Sequence, residues 1–276
     1  MLNFSSEVIF SIGSFPVTNT LLNTIFVDLV LLSIIIAVRK NLSTVPGRVQ
    51  NIAELIIGGF YNFTESIAGK KTKQIFPYFM TFFLFILIAN LSGLIPGFTT
   101  IGIVKDHNHL VPLLRSATSD LNTTLGLALV SLAATHILSV RALGPVEYLS
   151  RFIPFFPFLV SLLKGKFKLN IDTSGPLNIT LSFFTPLVLV FVGLLELISE
   201  FVKIISLSFR LFGNIFAGEV LLETVSSIFA FILPLPFLML EFIVGFVQAL
   251  VFAMLTLAFM VILTTPHANE ESGEVS

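Results

Sequence analysis

The chain has 276 residues, of which 55% are hydrophobic and only 11% charged, and its net charge is −1. Soluble domains carry about 25% charged residues, so too few are present here to cover an interior this apolar in water. The near-neutral balance excludes a polybasic nucleic-acid binder, and the absence of Cys excludes disulfide scaffolds, thiol nucleophiles and Cys-ligated metals.

The remaining class is a polytopic membrane protein, and about 20 apolar residues cross a bilayer as a helix. Residues 1–20 carry neither a basic n-region nor a small-residue cleavage site, so no removable signal peptide is expected. The first span is expected over 21–38, with Asp28 inside it. Val49–Ser66 mixes apolar and polar residues at helical spacing and reads as an amphipathic helix on the inner membrane surface. Further spans are expected over 76–98 and 121–140. The connection Thr99–Asp120 holds Lys105, Arg115 and an H-x-H pair, His107 and His109, without the further ligands a metal site needs. Phe152–Leu163 is apolar but broken by Pro154 and Pro157, too short to span, and fits a re-entrant or interfacial piece. Two long apolar helices follow over 177–226 and 228–263. Both exceed a perpendicular span, so each either hides a break or lies strongly tilted. A polar, acidic tail occupies 264–276. The whole, 1–276, reads as one integral membrane domain: all-α, with five crossings and one interfacial helix.

The basic residues set an orientation. Of the 15 Lys and Arg, six lie in Arg39–Lys73 and five in Arg141–Lys168. Basic loops stay on the cytoplasmic side. The N-terminus is then outside and, after five crossings, the C-terminus inside.

Charges within the apolar part are costly and normally face protein or water along a pathway. The last two helices contain Glu196, Glu200, Lys203, Arg210, Glu219, Glu223 and Glu241, with polar Asn214 and Gln248. At about 100° per residue, Glu196, Lys203 and Asn214 fall within about 40° of Arg210, while Glu219 falls on the opposite face with Glu223. If Ser226–Pro236 is a hairpin, Gln248 comes near Arg210, and Glu241 near Glu219. Two polar stripes meeting at one cation suit two aqueous half-paths. Other readings stand beside this one. Arg210 could snorkel or form a structural ion pair, and Glu219 with Glu241 could be a hydrogen-bonded pair. Glu196 and Glu200 could cap the inner interface with Lys203 neutralising them. His136 fits a packed helix residue better than a relay, and Asp28 fits either the outer side or the headgroup layer.

Several runs resemble one family. "SLSFRLFGNIFAGE" (Ser206–Glu219) and "VQALVFAMLTLAF" from Val247 are similar to subunit a of F-type ATP synthase in its bacterial form. "VPGRVQNIAELIIGGF" (Val45–Phe60), "NLSGLIPG" (Asn90–Gly97) and "SDLNTTLGLAL" (Ser119–Leu129) resemble the same family, so nearly the whole chain is covered. The resemblance implies a stator channel subunit of a rotary machine, without a catalytic site or cofactor of its own. It implies a c-subunit ring, a b-subunit peripheral stalk, the rest of the complex and membrane lipid as partners, in a bacterial plasma membrane. It also implies that the last two helices lie tilted across the ring. The family's essential arginine matches Arg210, and Ser206 opens the same run. Asn214, Glu219 and Gln248 match polar positions around it, with Glu223 on the Glu219 face. Glu196 matches an inner acidic position and Asp120 one near the outer mouth. Glu241 departs from relatives that carry His there. Proton and sodium both remain open as the ion.

Two rival classes are a secondary transporter and an intramembrane enzyme. No inverted repeat supports the first, and no metal or nucleophile constellation supports the second.

Overall fold

The structure is a computed structural model and describes residues 6–40, 42–95, 102–105, 109–112, 115–152, 176–228 and 233–265. Seven α-helices carry the described fold: α1 Asn19–Lys40, α2 Arg48–Ala68, α3 Thr72–Gly93, α4 Leu121–Leu143, α5 Pro145–Phe152, α6 Pro176–Ile228 and α7 Pro234–Thr264. Two antiparallel hairpins, absent from the all-α expectation, add to them. They are β1 Val8–Ile12 with β2 Phe15–Thr18, and β3 Gly102–Lys105 with β4 His109–Pro112.

The helix boundaries have local causes. The Asp120 side chain accepts from the Asn122 N–H and so caps the first turn of α4. Gly69 and Gly144 end α2 and α4 with φ of 53° and 86°, which an L side chain tolerates poorly. Pro234 opens α7, where a missing N–H costs no hydrogen bond.

Four described stretches are long and apolar enough to cross a membrane: Asn19–Lys40, Arg48–Gly93, Leu121–Leu143 and Pro234–Thr264. The protein is thus a helical polytopic membrane protein. Its apolar surface agrees: Leu29 is 57% exposed, Phe201 60% and Met239 70%, a pattern that lipid satisfies and water does not. Neither long helix is interrupted, since α6 runs through 53 residues and α7 through 31. Of the interfacial or re-entrant piece expected at 152–163, only Phe152 lies within the described residues, and 266–276 of the tail lie outside them.

The core forms where α3 meets α7. Ile75, Phe79, Phe82, Phe83 and Ile86 recur at helical spacing on α3 and pack against Ala249, Phe252, Ala253, Leu257 and Met260. Gly245 lets the two backbones approach, because a Cβ there would stand 3.3 Å from the Asn90 Cβ. Asn90 uses that proximity to donate to the Gly245 carbonyl at 3.0 Å. Ser131 to Thr256 at 2.8 Å and Thr124 to Ser208 at 3.1 Å tie α4 to α7 and α6. In lipid such bonds supply specificity that non-directional apolar contact cannot.

Candidate functional site

α6 divides into two faces. Leu207, Ser208, Leu211, Ile215 and Gly218 are buried against neighbouring helices, at the alternating three- and four-residue steps of one helix side. Ser206, Arg210, Gly213, Asn214 and Ala217 lie on the exposed side. Among the described residues Arg210 meets no hydrogen-bonding or ion-pair partner.

α6 and α7 run antiparallel in one register. The Asn214 side-chain amide donates to Gln248 Oε1 at 2.8 Å. Lys203 sits over the Phe259 ring at 5.1 Å. The Glu241 carboxylate packs onto Gly218, where any Cβ would collide with it. The helix pairing expected from a hairpin near 226–236 is therefore the one observed, with Gln248 in the Arg210 region and Glu241 beside Glu219.

Glu219 has a partner that periodicity does not reveal. Arg115 Nε donates to Glu219 Oε2 at 3.1 Å, across 104 residues of sequence, and the guanidinium lies 5.8 Å from the Phe216 ring centre. Ser119 and the Ser116 backbone face the same carboxylate. The residues that bring Arg115 there were expected only as part of the connection Thr99–Asp120, and Arg115–Asp120 are all buried. Ala117–Ser119 form a short 3-10 turn that fills the space beside α1, α3 and α6. Hydrogen bonds fix it: Thr118 donates to Asn90 Oδ1 at 2.6 Å and Ser116 to the Ala89 carbonyl at 3.2 Å. The one available signal was that Arg115 and Lys105 are the only basic residues in that connection.

Asp120 is placed structurally. One oxygen caps α4, and the other accepts from Thr20 Oγ1 at 3.0 Å, joining α4 to α1. Glu223 is exposed one turn beyond Glu219, and Ser206 is exposed one turn before Arg210.

A second charged group lies toward the other end of α6. Lys203 Nζ donates to Glu200 Oε1 at 2.6 Å, and His136 Nε2 lies 3.7 Å from Glu200 Oε2. Tyr148, from α5, stands 3.0 Å from His136 Nδ1. Glu200 is buried, so it does more than edge the surface, and Glu196 is half-buried one turn away. His136 is a packed, hydrogen-bonded helix residue, as expected. Among the described residues no group of side chains could hold a metal ion.

The arrangement is therefore two acidic groups, Glu219/Glu241 and Glu196/Glu200, on either side of an exposed Arg210. It defines a helical integral membrane protein with charged residues, some of them buried, along its two longest helices. A family model described as ATP synthase A chain matches residues 20–261. ATP synthase subunit a of Moorella thermoacetica is 31% identical over 252 residues, covering 91% of this chain and 93% of that one. ATP synthase subunit a of Desulfotalea psychrophila is 36% identical over 221 residues, covering 79% and 73%. The subunit a of Propionigenium modestum described as sodium ion specific is 34% identical over 260 residues, covering 93% and 78%. The chain belongs to the subunit a family of F-type ATP synthases. Its role is ion translocation for ATP synthesis, with the rest of that complex as its partner.

Proposed function

We propose that this chain is the stator half of a rotary ion channel, giving a c-subunit ring two offset half-paths and separating them with Arg210. The observation that carries this is Arg210 itself: an exposed guanidinium on a membrane helix, without a partner among the described residues and flanked by Ser206, Gly213 and Ala217. A bare cation facing lipid is costly, so a partner bearing a negative charge belongs against it. Small neighbours let that partner come close.

The mechanism follows from charge. A ring carboxylate surrounded by lipid is stable only when neutral or ion-loaded. Against this face it can ionise, because guanidinium stays charged at any physiological pH and pairs with carboxylate. Arg210 attracts the emptied site and cannot itself relay a proton. An ion enters past Glu219 and Glu241, with Glu223 and Asp120 nearer the outer mouth, and loads the ring. After nearly a full turn it leaves past Glu196. Asn214 and Gln248 hold the helices together beside the crossing point. The membrane potential contributes about 2.3 kcal/mol per charge per 100 mV, so several ions drive each turn.

In this reading α6 provides the fourth crossing and α7 the fifth, both lie tilted along the ring, and α2 lies on the inner surface. The N-terminus is outside and the C-terminus cytoplasmic, in a bacterial plasma membrane, with a b-subunit stalk holding the chain against rotation. The sequence has no Cys, so single Asn214→Cys and Ile205→Cys variants, at positions about 180° apart on α6 and both exposed, report which face meets the ring. Cross-linking to a small ring subunit from position 214 and not from 205 is expected. The reverse, or purification of an active chain without any ring protein, overturns the proposal. ATP hydrolysis with and without sodium identifies the ion.

A further inference from the structure

The Arg115–Glu219 pair leaves an asymmetry between the two carboxylates of the proposed outer path. Glu219 receives a buried guanidinium at 3.1 Å, together with Ser119 and the Ser116 backbone. Arg115 is only 5% exposed, so its guanidinium is withdrawn from water, while the Glu219 side chain is 21% exposed. Glu241 is equally buried, at 6%, but its Oε1 has no hydrogen-bond partner among the described residues. It presses on Gly218, the residue preceding Glu219, so the second carboxylate stands within electrostatic reach. A cation passing here meets one carboxylate already neutralised by a fixed charge and one that is not.

We propose that Arg115 is a positioning residue of ion transfer: it locks Glu219 in a permanent ion pair, so that Glu241 alone binds and hands on the transiting cation. This rests on the stator reading of the chain. Its physical logic is that two free carboxylates side by side would hold a cation too tightly for it to move on. Arg115 cancels one of them and leaves a single site of moderate affinity. Burial keeps the pair intact, because breaking it would strand a charge away from water. The Ala117–Ser119 turn, which follows Arg115 closely in the chain, is itself held by Asn90 and the Ala89 carbonyl.

The two members of the pair then have opposite signatures. In the whole complex in sealed vesicles, ion-driven ATP synthesis is followed with outer pH and outer sodium varied in separate series. Arg115→Gln lowers the maximal rate at least about tenfold and also lowers the half-saturating ion concentration about tenfold, since two bare carboxylates trap the cation. Glu219→Gln raises the half-saturating concentration, since an unpaired Arg115 repels the cation. Arg115→Lys restores most of the rate. The double variant Arg115→Gln, Glu219→Gln, which strands no charge, returns half-saturation close to that of the parent and works faster than Arg115→Gln alone. If Arg115→Gln fails to assemble, the double variant and Arg115→Lys carry the test. Shifts of the same sign in both single variants, unaltered half-saturation in all of them, or a double variant slower than either single one would overturn the proposal. Glu241→Gln must also be slower than the double variant, and the opposite order contradicts it. Arg210→Ala, run alongside, separates the two levels: retained coupled synthesis there removes the stator reading itself, whereas its loss with silent Arg115 variants removes only this inference.

Discussion

At the scale of single residues, contacts separate roles that spacing had left together. Lys203 and Arg210 fall close on a helical wheel, yet Lys203 is bound by Glu200 and Phe259 while Arg210 projects outward. Gly218 is explained by what it touches, because the Glu241 carboxylate occupies the place of a side chain. Gly218→Ala should therefore displace Glu241, at a cost of about 1–3 kcal/mol for overpacking. Thermal unfolding of the purified complex and the rate of ion passage both read this. An unchanged rate would mean that the Glu241 position is unimportant to the path. Glu219→Gln and Glu241→Gln should each slow passage less than Arg210→Ala, because they alter one path and not the separation of two. Arg115 was not legible as a site residue, since its partner lies 104 positions away and no periodicity links a connection to a helix. Asp120 was legible as an important position, but the residue types alone could not show that both its oxygens are engaged in a cap and a tie to α1.

At the scale of elements, the spans were legible because hydrocarbon leaves little choice: apolar runs of sufficient length must be helices that satisfy their own backbone. The α6–α7 pairing was legible for a related reason, since a short connection forces neighbouring antiparallel helices into one register. The two β-hairpins were not, because they lie among mixed residues where pairing depends on turn geometry. The buried turn before α4 was hidden for the same cause, its burial depending on Asn90 and α3. Asn90 bonds both Thr118 and Gly245, so it couples that turn to α7. Asn90→Leu should break both bonds and crowd Gly245, destabilising the complex by about 2 kcal/mol or more. A melting temperature equal to the parent's would contradict that coupling. Lys203→Met should leave Glu200 with only His136 beside it and loosen α6 from α4 and α5. Protease accessibility of α5 in the assembled complex should rise, and unaltered accessibility would show that the cluster does not hold α5 in place.

At the scale of the whole molecule, a charge content of 11% becomes a statement about placement. Most basic residues stand outside the apolar runs, and the acidic residues of the long helices gather in two groups on either side of Arg210. Among the described residues the outward surface is otherwise largely apolar, and on the ring-facing side of α6 it carries the exposed Arg210 guanidinium. This is the form expected of a stator that works only against a moving partner. The central claim is that Arg210 separates the two half-paths while supporting ionisation of the ring. Coupled ATP synthesis in sealed vesicles containing the assembled Arg210→Ala complex tests it most directly. Synthesis should be abolished although the complex assembles, and ions should leak across without turning the ring. Retained ion-driven synthesis by that variant would contradict the role assigned to Arg210.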